Sequence, residues 1–301
     1  MLTDSHHTTH HHHGATAMKW KLIVCAGLNL LFVVVEAIVG LSVNSVGLLS
    51  DAGHNLGDVL AILLSLLALY TTQTAANEHF TYGYKKLSIL LSLINAVILL
   101  VAVGGIVVES VTRLMRPVSV SGTAVSLTAG VGIIINGFTT LLLYGERKHD
   151  VNMRGVFLHM LTDTMVSAGV VLSGLIIALT DIVWIDPAIS LMISVIIIIS
   201  TYKLLKESVF LSIDAVPANV DVREIEKNIK NLPNVIGLHH LHVWAISTSD
   251  NAATIHVVIG DMSLLESTKR QIKNIFADNN VKHCTVELET SNYHCHDLEC
   301  G

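Results

Sequence analysis

The sequence predicts a membrane-embedded all-α bundle of six spanning helices followed by a small cytoplasmic α+β domain. Three observations carry that expectation. Hydrophobic residues make up 51% of the 301 and charged residues only 14%, where a soluble domain carries about 25% charged. Six stretches reach the roughly 17–25 apolar residues needed to cross a hydrocarbon core about 30 Å thick. The charge is also uneven: from Asp214 to Gly301, seven Lys/Arg stand against twelve Asp/Glu, leaving a net of −1 for everything before. A near-neutral apolar part thus precedes an acidic one. No basic patch exists to neutralise phosphates, which excludes nucleic acid as a partner; a lipid bilayer is the partner that the apolar surface calls for.

The apolar stretches are Leu22–Leu41, Val46–Tyr70, Leu87–Val111, Val120–Tyr144, Val156–Leu179 and Ile185–Leu205. The links between them are short and hold turn formers or charges, as at Ser42-Val43-Asn44, Arg116-Pro117 and Thr180 to Asp186. Orientation follows from the Lys/Arg bias of the loops. With the N-terminus in the cytoplasm, that side receives Lys19, Lys21, Lys85, Lys86, Arg147, Lys148, Arg154, Lys203 and Lys206, and the far side only Arg113 and Arg116. Both termini are therefore expected in the cytoplasm. The N-terminal MLTDSHHTTHHHHGATA has no basic region before an apolar core and reads as a His-rich arm rather than a signal peptide. The chain divides into that arm (1–18), a six-helix domain (19–210), an α+β domain (211–290) and a Cys/His tail (291–301).

Beyond Asp214 the hydrophobic period changes. Asp221-Val-Arg-Glu224 has the form of a capping box, and Val222, Ile225, Ile229 and Leu232 follow on one helical face. Val235–Ser247 and Ala252–Gly260 read as strands joined at Ser249-Asp250-Asn251. A second helix opens at Ser263-Leu-Leu-Glu266 with Leu265, Thr268, Ile272 and Ile275 in a stripe, and Cys284–Thr290 reads as a last strand. The order αββαβ fits an open two-layer domain of ferredoxin-like or metallochaperone-like type. Strand alternation puts His239 with Leu241 and Val243 on one face, and His240 and His242 with Trp244 on the other. Of the four cysteines, Cys25 lies in an apolar stretch and Cys284, Cys295 and Cys300 in the acidic part. Beside histidine in a cytoplasmic domain they read as reduced thiols or metal ligands.

The residues that carry chemistry sit inside the apolar stretches. The second contains Asp51-Ala-Gly-His54-Asn-Leu-Gly-Asp58 and the fifth contains His159-Met-Leu-Thr-Asp163. Residues four apart share a helix face, so each segment offers an imidazole beside a carboxylate. An unpaired Asp at the bilayer centre costs about 2.5–3.5 kcal/mol on insertion scales. Two facing pairs would supply two nitrogens and two oxygens, a donor set that Zn2+ accepts tetrahedrally at about 2.0–2.2 Å, and two carboxylates cancel a divalent charge. Taken singly, each residue has a plainer reading as a packed His or the cap of a polar network; the repeat of His-x-x-x-Asp in two spans favours the metal. Glu36, Asp51 and Asn136 fit either the lining of an access path or hydrogen-bond glue between helices. Glycines 53, 57, 104, 105, 130, 132 and 137 read as sites of close helix approach.

Leu49-Ser-Asp-Ala-Gly-His54-Asn-Leu-Gly-Asp58, Phe80-Thr-Tyr-Gly-Tyr-Lys-Lys86, Arg116-Pro117 and His159-Met-Leu-Thr-Asp163 together resemble the cation diffusion facilitators, in particular their bacterial zinc/cobalt/cadmium-resistance branch. The likeness runs over essentially the whole chain. It implies a homodimeric antiporter of the inner (plasma) membrane that exchanges cytoplasmic Zn2+ for outside protons, with Cd2+ and Co2+ as further candidate substrates. It assigns the transport site to His54, Asp58, His159 and Asp163, and His rather than Asp at position 54 favours Zn2+. It also points to a regulatory zinc site in the cytoplasmic part at His239, His256 and Glu289, with Cys295 and Cys300 as additional candidates; their Cys-x4-Cys spacing departs from the tighter pair of some relatives. A further site in the loop between the second and third helices, built in some relatives from Asp and His, is expected to be missing, since Asn77, Phe80 and Tyr84 stand there with only His79 nearby. The arm histidines and His149 read as loosely metal-binding. Two other classes remain open at this point: a membrane-tethered zinc sensor, and an electron-transfer protein with haem between His54 and His159. An intramembrane metalloprotease is excluded, because no His-Glu-x-x-His occurs.

Overall fold

The computed structural model describes residues 11–72, 76–143 and 151–291, with the side chains of 11–22, 25, 151–160 and parts of 61–72 and 139–143 outside the description. Six long helices come first: α1 (His11–Ser42), α2 (Val46–Thr72), α3 (Leu87–Met115), α4 (Gly122–Leu143), α5 (Val151–Thr180) and α6 (Ile185–Ser212). They match the six apolar stretches, with α1 beginning upstream of the expected start. By length and composition three described segments are apolar enough to cross a membrane: Leu87–Met115, Leu161–Thr180 and Ile185–Ser212. Two compact units divide the chain: 1–65 with 95–203, and 66–94 with 204–301.

The first unit inverts the usual arrangement of a protein. Its outward side chains are hydrocarbon, such as Val101, Leu127, Ile134 and Leu141, each about 70% exposed or more, and only a bilayer makes such a surface stable. Its interior mixes an apolar cluster (Leu48, Val103, Val125, Ala129, Val166, Val170, Ile193 and Ile197) with buried polar ties. Asp186, in the first turn of α6, is fully buried. It accepts from the Ser45 hydroxyl at 2.5 Å and from the Val46 N–H at 2.7 Å, so the first orphan amides of α2 are satisfied by a carboxylate from another helix. Ser50, Ser110 and Ser190 form a hydroxyl chain joining α2, α3 and α6 at 2.6 and 2.9 Å. Helices α4 and α5 approach at Gly122 and Gly174, where a Cβ on either would run into the other's carbonyl oxygen. Of the glycines expected to mediate close approach, Gly57 lies against Leu99 and Gly132 against Phe32, while 104, 105, 130 and 137 have nothing within contact range of a Cβ.

The second unit holds the α+β domain, and the order αββαβ is as expected: α7 (Val222–Lys230), β1 (Val235–Ala245), β2 (Asn251–Ile259), a 3-10 turn (Met262–Leu264), α8 (Leu265–Asp278) and β3 (Val281–Thr290). Asp221 caps α7 by accepting from the Arg223 and Glu224 amides, and Asp261 caps the turn by accepting from the Ser263 N–H; the Ser263 hydroxyl first and its amide second hold the Asp261 carboxyl below the usual range. Strand β2 is central, antiparallel to β1 and parallel to β3. Helices α7 and α8 cover one face, where Ile225, Ile229, Ala253, Ile255, Val257, Ile259, Ile272 and Phe276 form the core. In the same unit, Lys85 pairs with Asp250 at 3.0 Å and Lys86 with Asp214 at 2.6 Å, and the Thr248 N–H donates to Ser88.

One expectation about this sheet is overturned. His239 does not share a face with Leu241 and Val243. His239 pairs with His256, and the next pair on the ladder is His242 with Thr254, so two residues of β1, His240 and Leu241, stand against Ile255 alone. This is a β-bulge, and the extra residue flips the parity of everything beyond it. Leu238, Leu241 and Val243 pack with the core, which leaves His239 and His242 together on the opposite face.

Candidate metal centres

The i, i+4 spacing of α2 carries His54 and Asp58 on one face, and α5 brings Asp163 to meet them. With its proton on Nε2, His54 donates to Asp163 Oδ1 at 2.9 Å, and the same nitrogen lies 4.0 Å from Asp58 Oδ2. Ligand atoms of His54, Asp58 and Asp163 all fall within 4.8 Å of one another. His54 and Asp163 are buried, at 8% and 1% exposure, and Asp58 is half-buried. This is a nitrogen and two carboxylates in a place shielded from water. The fourth expected member, His159, sits one turn before Asp163 on α5; its side chain lies outside the described residues.

Glu36, Asp51 and Asn136 are all buried. Asp51 accepts from the Ser167 hydroxyl at 2.9 Å, and the Asn55 amide donates to Asp51 Oδ1 at 3.4 Å and Glu36 Oε2 at 3.5 Å. A polar network of α1, α2 and α5 thus lies next to the metal-ligating face, since Asn55 follows His54 and Ser167 is one turn beyond Asp163. Neither Asn55 nor Ser167 stood out in the sequence. Their signal was available, because Ser167 continues the 159–163 face by another four residues.

The second centre lies on the open face of the sheet. Cross-strand pairing sets His239 opposite His256, and β3 brings Glu289 beside them. Glu289 Oε1 is 2.8 Å from His256 Nδ1 and 3.4 Å from His239 Nε2. Ligand atoms of these three again lie within 4.8 Å. The Glu289 side chain is only 3% exposed and pairs with the imidazoles of His256 and His239. A buried carboxylate shared by two imidazoles suits Zn2+, which takes N and O donors together. Cys284 is not part of this group: it pairs with Ala253 and packs against the core, where burial pushes its thiol up to about 12 against the opposing pull of Lys273. It is a protonated, inert thiol at neutral pH. Cys295, Cys300, His149 and the arm residues His6, His7 and His10 lie outside the described residues, as do the side chains of His11, His12, His13 and Cys25.

An apolar helical bundle with a buried acid–imidazole cluster, joined to a small α+β domain with a cluster of its own, has the features of a cation-binding membrane protein. The comparisons agree. The cation efflux transmembrane domain model matches residues 22–211, and the model of the cytoplasmic domain of cation efflux proteins matches 217–291. The chain belongs to the cation efflux family and is a transporter, not an enzyme. It is 32% identical over 271 residues to the cadmium, cobalt and zinc/H(+)-K(+) antiporter of Bacillus velezensis, covering 88% of this chain and 86% of that one. It is 32% identical to the zinc transporter ZitB of Yersinia pestis (93% and 90% covered), and 31% identical to the metal cation efflux system protein CzcD of Cupriavidus metallidurans (86% and 82% covered).

Proposed function

We propose that this chain exports Zn2+ from the cytoplasm in exchange for protons, with Cd2+ and Co2+ as further substrates, through a tetrahedral site of His54, Asp58, His159 and Asp163 in a bundle of six spans. The observation that carries the reading is the 2.9 Å contact of His54 with Asp163, which joins the pair on α2 to the helix that holds the second pair. Two carboxylates neutralise one divalent cation, so the loaded site is close to neutral and can tolerate the bilayer interior. The imidazole nitrogen that would ligate the metal is the one facing Asp163, and a single lone pair serves either a proton or a metal. Exchange follows if the site opens alternately to the two sides. The relatives' names, which speak of zinc, cadmium and cobalt and of both protons and potassium, support this choice of cargo and a proton among the counter-ions.

The network of Glu36, Asp51, Asn55 and Ser167 holds α1, α2 and α5 in register behind the site, and with Asn136 marks the polar side of the bundle along which an access path would run. The Lys/Arg bias supports cytoplasmic termini in the inner (plasma) membrane, and the match to the cytoplasmic domain of cation efflux proteins supports a homodimer assembled there. His239, His256 and Glu289 form the second site, which senses cytoplasmic zinc; Cys295 and Cys300 stand close enough in sequence to join it. A pure sensor would bind metal and move none. The haem reading is disfavoured because it gives no role to Asp58 and Asp163, whose carboxylates gather with His54 at one point. Zinc flux into proteoliposomes under a proton gradient tests the function: wild-type protein transports, Asp163→Ala does not, and normal flux by that variant refutes the site.

A further inference from the structure

The bulge that corrected the register of β1 also moves a third imidazole. His240 has φ 50, in the left-handed region that L residues seldom occupy. In a regular strand it would take the core position opposite Ile255, which is 1% exposed. Leu241 takes that place instead, because Leu238 and Leu241 both pack with the core, and a spacing of three is incompatible with the strand period of two unless a residue is looped out. The looped-out residue is His240, and its ring lies with the others. Ring centres of His239 and His240 are 5.0 Å apart, of His240 and His256 5.1 Å, and of His239 and His256 5.2 Å. This is a nearly equilateral triangle of imidazoles above a buried carboxylate. A tetrahedral zinc with Zn–N of about 2.0–2.1 Å would set the centres of its imidazole rings roughly 5 Å apart.

We propose that His240 is the fourth ligand of the cytoplasmic metal site, giving a three-histidine, one-glutamate tetrahedron with His239, His256 and Glu289 that needs neither Cys295 nor Cys300. The inference rests on the reading of the His239, His256 and Glu289 cluster as a metal site. The nitrogens of His240 stand outside the 4.8 Å set formed by those three, so a rotation about χ2, a soft torsion for His, turns one inward as metal binds. The left-handed backbone at this position then has a functional reason: such conformations persist where a site needs them.

The test is a Co2+ titration of the full-length protein carrying Asp58→Ala, Asp163→Ala and serine at the six arm histidines from His6 to His13, followed by visible absorption. The intact α+β domain should take up one Co2+ with the intense bands of a tetrahedral ion. His240→Asn and His240→Gly, both tolerant of positive φ, should keep the melting temperature of the metal-free protein, weaken binding about tenfold or more, and change the band pattern. Unaltered affinity and spectrum in both variants, or a thiolate charge-transfer band that vanishes with Cys295→Ser, would overturn the proposal while leaving the three-residue site standing. Absence of Co2+ uptake by the intact α+β domain would overturn that site and the proposal together.

Discussion

The two candidate centres both gather imidazoles and carboxylates and are built in opposite ways. In the helical bundle, His54 and Asp58 are four residues apart and Asp163 comes from one other helix. On the sheet, His239, His256 and Glu289 come from three strands, and no two of them lie within fifteen residues of each other in sequence. A helix writes its face into the sequence at a fixed interval, so the first centre is visible as a repeated His-x-x-x-Asp. A sheet gathers its face through register, which the sequence states only indirectly. The two regions differ in cohesion as well. The bundle is knit by buried polar ties from Asp186, Asp51 and the serine chain, whereas the α+β domain rests on a hydrocarbon core around Ile255, Ile272 and Phe276. Lipid offers no hydrophobic drive between helices, so hydrogen bonds and close packing carry association there; water supplies that drive in the other region.

If the centres are independent, they can be broken one at a time. The largest effect is expected from Asp163→Ala or Asp58→Ala, which should reduce zinc flux to the vesicle background while equilibrium dialysis still finds metal on the cytoplasmic domain. Loss of both together would merge the two centres into one system. Glu289→Ala should do the converse, removing zinc from the cytoplasmic site while flux falls roughly several-fold and stays measurable. Abolition of flux by this change would make the α+β domain part of the transport machinery.

The contrast in cohesion makes a smaller prediction. Phe276→Ala opens a cavity in the hydrocarbon core and should destabilise the α+β domain by about 3–5 kcal/mol, read as early loss of protection in its strands by hydrogen exchange. Asp186→Ala strands the Ser45 hydroxyl and the amide of Val46 and should cost the bundle about 1–3 kcal/mol, read as a lower melting temperature in detergent with the domain unchanged. Equal responses of both regions to either change would remove the distinction.

Most of the architecture was legible because it is periodic. Apolar runs gave α1 to α6, and the cap at Asp221, the Ser263-Leu-Leu-Glu266 start and the stripes of Ile225 with Ile229 and of Thr268 with Ile272 gave the domain its helices. Three of the four residues assigned to the transport site are drawn together. What escaped was whatever depends on partners distant in the chain. Asp186 looked like a loop charge, yet it caps a helix 140 residues earlier. Ser167 and Asn55 looked like ordinary helix residues beside the His-x-x-x-Asp repeat. The bulge at His240 was missed because strict alternation was assumed, although Leu238 and Leu241, three apart and both apolar, already signalled that one residue between them had to leave the ladder.

The central claim is that pairs from α2 and α5 close on one cation. X-ray absorption at the zinc edge, on protein with one Zn2+ bound and the cytoplasmic site removed by His239→Ala and Glu289→Ala, tests it most directly. The account predicts four nitrogen and oxygen neighbours at about 2.0–2.1 Å, two of them imidazoles, with the imidazole signal halved by His159→Ala. A sulfur neighbour near about 2.3 Å, or a spectrum indifferent to His159, would contradict it.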